Sequence, residues 1–253
     1  PTKVRGRGVY EDAGRIVVHL GDRLLVDGIE TSFVDHKSEF LYPKRPPIRS
    51  INLKNPLTAV QASDLIAMLE KCTWMQKRSA YLLAGFIYCC FMPGVLPWRP
   101  HFGLTGPSSS GKTWLIGHIL YPCIKDFARI FMAVASSEAG VRQSLAIDAL
   151  ACILDEFDAE HGHTIDSLAS MTGLARQSSS DTGGAGVKGT QDGTARTYAL
   201  KSCFCFVGTA LALTMKADQS RVTVAELRKA DENDNTFNFA EIQAIAASTT
   251  ENA

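Results

Sequence analysis

The sequence has no excess charge of either sign and no hydrophobic run long enough to span a membrane. It contains 26 Lys and Arg against 26 Asp and Glu, so its formal net charge is zero. A neutral chain has no global attraction for nucleic acid, and any surface that binds nucleic acid would have to be a local patch. The most apolar stretch, residues 80–92, is shorter than the ~20 residues that a membrane helix needs. We interpret it as a buried helix and predict no membrane partner.

The sequence also lacks a paired cysteine motif and a secretion signal. None of its seven cysteines belongs to a CxxC pair. We therefore expect buried, reduced thiols in a cytoplasmic protein. The chain opens with Pro1-Thr2-Lys3-Val4-Arg5, which is no signal peptide. It has no initiator methionine, so we expect a piece excised from a longer protein, although methionine removal before Pro1 would leave the same start.

The 253 residues suffice for one large domain, or for one core with a smaller appendage. Patterning along the chain predicts four regions. These are a small β-rich element with a basic linker (1–48), a helical segment (49–100), a core of alternating strands and helices (101–228) and a partial lid or disordered tail (229–253).

Strand and helix patterns alternate through the third region. Five apolar runs read as strands, and helical patterns lie between them. The predicted strands are 101–105, 129–135, 150–154, 202–207 and 221–224. Alternation of this kind indicates an α/β fold with a five-stranded, mainly parallel sheet that is flanked by helices.

The strongest motif is the loop Gly106-Pro107-Ser108-Ser109-Ser110-Gly111-Lys112-Thr113, which matches G-x-x-x-x-G-K-[ST] at every fixed position. In such a loop, small residues allow backbone N–H groups to surround phosphates, and the following helix adds its positive dipole end. Lys112 would reach the β- and γ-phosphates of ATP, and the Thr113 hydroxyl would ligate Mg²⁺. An ordinary glycine–serine turn is disfavoured because the loop follows a predicted strand and opens a predicted helix.

Two carboxylates end the apolar strand that follows. We predict that Asp155 holds the Mg²⁺ shell and that Glu156 polarises the attacking water as general base. The alternative is a solvated loop. An acid beside the metal aspartate suits water activation and argues against a phosphotransferase.

Two further residues are candidates for the same catalytic machinery. Thr209 follows the fourth strand, where its side chain would orient the water, or it would simply form a turn. Arg221 opens the last strand, and it would act as an arginine finger in a neighbouring subunit. The alternative interpretation is that Arg221 forms a surface salt bridge with Asp218. Arg142 and Arg196 are weaker candidates for phosphate or interface contacts.

A polar insertion, residues 176–201, lies before the fourth strand. Turn-forming residues on each side of Val187-Lys188-Gly189-Thr190 predict a hairpin with Lys188 at or near its tip. Such a lysine would contact a phosphate backbone. From composition alone, a flexible surface loop is the better interpretation.

With these residues taken together, the chain resembles the AAA+ ATPase domain of replicative helicases and primase–helicases encoded by phages, plasmids and genomic islands. The likeness covers residues 100 to 228. Beyond the glycine-rich loop, it is carried by Ser137–Gln143, Leu154-Asp155-Glu156, Leu174–Ser180, Val187–Thr190 and Ala217–Arg221. The front segments Arg5–Tyr10 and Val18–Asp22 also look like the region that precedes such an ATPase.

The resemblance implies an AAA+ P-loop fold, in a homo-oligomer that forms a ring, expected to be a hexamer. ATP and Mg²⁺ would lie between subunits, with Arg221 completing the neighbour's site. The hairpin would face the central channel and place Lys188 on single-stranded DNA.

Three functions are therefore in competition. The leading hypothesis is an ATP-hydrolysing DNA helicase motor. The second is a regulatory or scaffold AAA+ ATPase, of loader or defence type, that acts on protein partners. The third is a phosphotransferase.

Overall fold

A computed structural model describes residues 3–48, 58–158, 165–181, 186–189, 195–198, 200–211, 213 and 215–229, with backbone alone for 134, 165–167, 186–189 and 195–198. Residues 3–48 are built from short strands. These are β1 (Lys3–Val4), β2 (Gly8–Asp12), β3 (Arg15–His19), β4 (Leu24–Val26), β5 (Ile29–Thr31) and β6 (Phe40–Leu41). Strands β2 to β5 form an antiparallel meander, and β1 pairs in parallel with β6. Two-residue turns with positive φ, at Ala13-Gly14 and Asp27-Gly28, join β2 to β3 and β4 to β5, as tight hairpins require.

This β-element packs directly on the segment that precedes the third strand of the main sheet. The Arg7 side chain forms a buried ion pair with Asp148, and the Arg7 amide donates to the same carboxylate at 2.8 Å. Backbone bonds run from Gly6 N to Ile147 O and from Ala149 N to Arg7 O. Leu20, Leu25 and Ile48 share an apolar cluster with Phe127 and Leu150. The β-element therefore packs against the main sheet through a shared apolar cluster.

Two helices of 12 residues follow, α1 (Ala59–Glu70) and α2 (Ser79–Cys90). Helix α1 begins with a capping box, in which the Thr58 hydroxyl accepts from the Gln61 amide and the Gln61 side chain accepts from the Thr58 amide. Helix α2 buries six of its residues, and five of them belong to an apolar cluster that includes residues of the main sheet. Within the described part of the chain, no helix is long and apolar enough to cross a membrane.

The main sheet has five strands, all parallel, in the spatial order β13-β7-β12-β9-β8. These strands are β7 (His101–Thr105), β8 (Ala128–Met132), β9 (Ala151–Asp155), β12 (Phe204–Gly208) and β13 (Val222–Glu226). Strands β7, β9 and β12 are apolar and buried almost throughout, as is usual when helices cover both faces of a parallel sheet.

Helices lie on each face of the sheet. The helix after the glycine-rich loop runs through α3 (Lys112–Leu115), a π-helical turn (Ile116–Leu120) and α4 (Tyr121–Ile124), and it shares one apolar cluster with α1 and α2. Helices α5 (Glu138–Leu145) and α6 (Ile165–Ser178) form the other cluster. A short helix, α7 (Lys216–Gln219), precedes β13.

Between α6 and β12 lies an antiparallel pair of strands, β10 (Gly186–Gly189) and β11 (Ala195–Tyr198). Helix α6 starts after the carboxyl end of β9 and returns to the amino ends of the strands, because Ser179 O accepts from Arg99 N just before β7. The pair β10–β11 therefore emerges at the amino edge of the main sheet.

The predicted fold class is confirmed. The structure has the α/β organisation, the five parallel strands with helices on both faces, and the β-element and helical segment in front. One strand boundary was wrong, because Ala133–Ala135 forms a 3₁₀ turn instead of extending β8. The lid or tail predicted for 229–253 lies, beyond Lys229, outside the described residues, and the domain division stays a prediction.

Candidate functional site

The glycine-rich loop is held in a strained backbone conformation between β7 and α3. Gly106, Ser109 and Gly111 all have positive φ, at 152°, 63° and 91°. A Cβ on Gly106 would lie 2.4 Å from Leu227 O and 2.7 Å from the Ser110 Oγ, so only glycine fits where the loop turns out of the sheet. The non-glycine Ser109 carries strain of the kind that concentrates at ligand-binding sites.

Lys112 is bent back over the loop that precedes it. Its Nζ donates to Gly106 O at 2.6 Å and to Pro107 O at 2.9 Å. Burial lowers the pKa of Lys112, while the carboxylates of Asp158 and Asp155 act in the opposite direction. The ammonium group therefore lies among loop carbonyls, within the field of two carboxylates.

The two predicted carboxylates follow β9 at the same edge of the sheet. The Asp155 Oδ1 accepts from the Glu156 amide at 2.9 Å. Glu156 is exposed and has a φ of 56°. A positive φ in a non-glycine residue is uncommon outside turns and functional sites. The turn projects the Glu156 carboxylate toward solvent, away from its strand.

A third carboxylate in this group, Asp158, was not predicted. Its side chain is almost fully buried, and its Oδ1 accepts from Thr209 N at 2.6 Å, Thr209 Oγ1 at 2.9 Å and Ala210 N at 3.0 Å. It therefore ties the segment after β9 to the end of β12. A signal was present in the sequence, since Asp158 is the third acid of Asp155-Glu156-Phe157-Asp158, but only the sheet order brings it against Thr209.

These residues fit a nucleoside triphosphate with a divalent cation. The Ser110 Oγ is buried and has no hydrogen-bond partner among the described residues, which leaves a donor for a phosphate oxygen inside the loop. In the described residues, no three His, Cys, Asp or Glu side chains form a metal cluster. Mg²⁺ commonly takes one or two protein oxygens and completes its shell with water and substrate phosphates, and Thr113 and Asp155 offer such a set.

Arg221 lies far from this group in its own chain. It precedes β13 beside the start of β7, with its carbonyl 3.3 Å from His101 N. The glycine-rich loop is at the other end of β7, about 16 Å away at ~3.3 Å per residue. The Arg221 guanidinium lies over the Trp98 ring, 5.4 Å from its centroid, and donates to Ala217 O at 2.6 Å. It does not pair with Asp218, whose carboxylate instead accepts from Arg176 at 2.9 Å.

The strands β10 and β11 confirm a hairpin within the insertion, and they align Lys188 with Arg196. Lys188 is therefore inside a strand, and residues 190–194, which join the strands, are outside the described residues together with the Lys188 side chain. Asp181 fixes the two ends of the insertion, since its carboxylate bonds Arg99 at 2.8 Å and Lys201 at 3.0 Å. The DNA contact of Lys188 stays a prediction.

Arg142 is buried, and it bonds Glu138 at 2.8 Å and Gln177 at 2.9 Å. These bonds join α5 to α6. The observed contacts of Arg142 are therefore structural.

Comparison with known proteins gives a likeness of fold. No protein-family model matches the chain, and no curated protein matches it. Two solved structures of the NrS-1 C-terminal region are similar at TM-scores of 0.50 and 0.51, with 13% and 10% sequence identity. The matches cover 97% and 90% of this chain and 52% and 50% of those chains.

A structure of the JCV helicase with a bound acetamide compound also matches, at a TM-score of 0.46 and 14% identity over 77% of this chain and 53% of that chain. This chain thus spans about half the length of the solved chains that it matches. At these identities, the NrS-1 structures show a shared fold.

Proposed function

We propose that this chain is the ATP-hydrolysing motor domain of a ring-forming replicative DNA helicase of the AAA+ class. One observation carries the proposal. Lys112, in a strained glycine-rich loop, shares one edge of a parallel sheet with Asp155 and the outward-turned Glu156. A phosphate-binding loop beside a metal-binding acid and a general base has the parts required for hydrolysis by water.

Each residue has a separate task in this scheme. The amides of the loop and Lys112 bind and orient the triphosphate. Thr113 and Asp155 hold Mg²⁺, which neutralises charge on the phosphate oxygens when it is bound. Glu156 takes a proton from the attacking water, and its exposed position leaves the carboxylate free to reach that water.

The coupling to a neighbour and to DNA depends on the opposite edge of the sheet. Arg221 is about 16 Å from the loop of its own chain, so its proposed action on a phosphate requires a second subunit. The hairpin β10–β11 starts at the same edge, and its Lys188 is proposed to contact single-stranded DNA.

The deciding measurement is ATP turnover with and without single-stranded DNA at low salt. We expect DNA to stimulate turnover, Glu156→Gln to abolish it, and Lys188→Ala to remove the stimulation alone. Lys37→Ala, at an exposed lysine of the β-element, is the matched control. Turnover that ignores DNA, together with no unwinding, would exclude the helicase function, and normal turnover in Glu156→Gln would exclude the hydrolysis mechanism.

A mixing experiment tests the shared site. Arg221→Ala and Lys112→Ala subunits are each expected to be inactive alone. In a mixed ring, an intact loop from the first variant meets an intact arginine from the second, and part of the activity should return. If no mixing ratio restores turnover, the site is not completed by Arg221 of a neighbour.

The second candidate is a regulatory AAA+ ATPase that acts on protein partners. An exposed apolar groove between α1 and α2 favours it, with Leu65, Tyr81, Tyr88 and Phe91 in its lining. Apolar patches of this kind are often sites of protein binding. This candidate predicts ATP turnover that a protein stimulates and DNA does not.

A further inference from the structure

One oxygen of Asp158 collects three hydrogen-bond donors from the end of the neighbouring strand. The Asp158 Oδ1 accepts from the Thr209 amide, the Thr209 hydroxyl and the Ala210 amide, at 2.6, 2.9 and 3.0 Å. Carboxylates that accept several bonds of this type form strong, well-oriented contacts. The loop after β12 is therefore fixed by a residue that follows β9.

The surrounding structure is shaped to permit this contact. Phe157, next to Asp158, donates its amide to Val207 O at 2.7 Å and packs on Phe206 with ring centroids 4.7 Å apart. A Cβ at Gly208 would lie 2.6 Å from the Asp158 Oδ1. Only glycine at position 208 therefore allows the carboxylate to come close enough to the Thr209 amide.

The contact determines what Thr209 can offer to a ligand. A threonine hydroxyl has one proton and two lone pairs, and here the proton is donated to Asp158. The Thr209 oxygen is then an acceptor alone. It can accept a hydrogen bond from a water molecule, but it cannot donate one to a phosphate oxygen.

We propose that Asp158 is a positioning residue for the attacking water, acting through Thr209. The inference rests on the proposed ATP hydrolysis and assigns a task that Asp155 and Glu156 do not fulfil. The water gives one proton to the Glu156 carboxylate, and its other O–H is donated to the Thr209 Oγ1. Its oxygen forms a bond to the γ-phosphorus, and the bond from that phosphorus to the bridging oxygen breaks, with the electron pair leaving on ADP.

The orientation of this water is what Asp158 contributes. With the hydroxyl proton of Thr209 held by Asp158, both O–H bonds of the water have an acceptor, and a lone pair of the water is left to face phosphorus. If Thr209 kept its proton free, its hydroxyl would rotate and compete for that lone pair. Asp158 and Thr209 therefore affect the rate of turnover, whereas ATP binding depends on the glycine-rich loop.

The test compares steady-state kcat and KM for ATP in four single variants and one double variant. Thr209→Val keeps the shape and removes the hydroxyl, and we expect kcat to fall about 100-fold with KM within about threefold. Thr209→Ser keeps the hydroxyl and should stay within about threefold of wild type. Asp158→Ala should lower kcat as far as Thr209→Val, and the double variant Asp158→Ala with Thr209→Val should be no worse than either alone, because both act on one water.

Asp158→Asn separates this task from folding and from the charge near Lys112. Its amide oxygen can still accept the three bonds, so kcat should recover at least tenfold over Asp158→Ala. The thermal midpoint of each variant is measured in parallel. If kcat falls only in proportion to the folded fraction, if the effects of Asp158→Ala and Thr209→Val multiply, or if Thr209→Val turns over normally, the inference is wrong.

Glu156→Gln in the same assay distinguishes failure of the proposed ATP hydrolysis from failure of the role assigned to Asp158. If Glu156→Gln turns over normally, or if the wild-type chain has no turnover, the proposed function fails and this inference fails with it. If Glu156→Gln is inactive while Thr209→Val is normal, the proposed function stands and the role of Asp158 is wrong.

Discussion

The glycine-rich loop at the carboxyl edge of the main sheet and the Arg99 network at its amino edge differ in how their polar groups are paired. At the carboxyl edge, the glycine-rich loop and Glu156 have positive φ, and the Ser110 hydroxyl is buried without a partner among the described residues. At the amino edge, Arg99 is fully buried, yet its side chain bonds Ser178 O, Pro93 O, Leu96 O and Asp181. The loop thus leaves a buried hydroxyl available to a ligand, whereas each guanidinium nitrogen of Arg99 has a partner. Two other buried atoms at the amino edge, the Ser202 Oγ and the Arg221 Nε, have no hydrogen-bond partner among the described residues.

The difference indicates that the glycine-rich loop serves ligand binding and that the Arg99 network serves the stability of the fold. Strain and unpaired polar groups lower stability, and they persist where a ligand uses them. A buried charge with a full set of partners adds little net stability, but it fixes one arrangement of the chain, and the loss of its contacts is costly. We therefore expect substitutions in the glycine-rich loop to affect activity, and substitutions in the Arg99 network to affect folding.

The largest effect is expected for Lys112→Ala. Removing the ammonium group should lower ATP turnover about 1,000-fold, because its charge acts directly on the phosphates. The free energy of unfolding should change by less than about 0.5 kcal/mol, as for most substitutions outside the core. Turnover and urea unfolding are measured together, with Lys125→Ala, an exposed lysine just after the same helix, as control. If Lys112→Ala also unfolds the chain, the contrast between the edges is lost.

Arg99→Met should produce the reverse pattern. It leaves the carbonyls of Ser178, Pro93 and Leu96 without the Arg99 donor. We expect a loss of about 3–5 kcal/mol in the free energy of unfolding, because a buried acceptor without its donor costs about 1–3 kcal/mol. The half-exposed Asp181 carboxylate keeps its ion pair with Lys201. Lys201→Met removes the more exposed partner of Asp181 and should cost less than about 1 kcal/mol. Urea unfolding measures both. Equal losses in the two variants would contradict a specific role for the Arg99 network.

A pH experiment gives a smaller effect at the amino edge. His101 is buried, its Nδ1 accepts from Phe204 N at 3.1 Å, and its Nε2 lies 2.7 Å from Ala175 O. Burial lowers the pKa of His101 to about 4. Between about pH 6.5 and pH 4 the unfolded chain therefore binds a proton that the folded chain does not, so stability falls as the pH falls through this window.

The loss attributable to His101 should approach about 3 kcal/mol at the low end of the window, at 1.36 kcal/mol per pKa unit. His101→Gln should flatten the pH dependence of the urea midpoint between pH 4 and 6.5. His118→Gln, at an exposed histidine, should leave it unchanged. His19, which is also buried and has a lowered pKa, contributes equally to wild type and variant. An unchanged slope in His101→Gln would show that protonation of His101 is not coupled to folding.

Much of the fold followed from local patterns. The apolar strands, the glycine-rich loop before a helix, and the Ser137 cap that accepts from Gly140 N were all predictable, because each depends on neighbours in sequence. The contact of Asp158 with Thr209 and the network of Arg99 were missed, because each joins residues separated by 51 or 79 positions. Such contacts depend on the sheet order, which places β12 between β7 and β9.

The residues of the candidate site also fall into those that local motifs indicate and those whose position depends on the sheet. Lys112, Asp155 and Glu156 could be proposed as site residues from motifs that lie on single elements, but the position of Arg221 required the register of β13 with β7. The alternative of an Arg221–Asp218 salt bridge looked reasonable at three residues' separation. It was wrong because the Asp218 carboxylate turns to Arg176, which α6 brings alongside from 42 positions away.

The attachment of the β-element has a mechanical consequence. Its ion pair, Arg7 with Asp148, and its backbone bonds to Ile147 and Ala149 all hold the chain just ahead of β9, the strand that ends in Asp155. Gly6 and Arg7 are therefore bonded to the three residues 147–149, two positions before β9 begins. A displacement of the β-element would therefore be passed through these bonds to β9, the strand that ends at Asp155 and precedes Glu156.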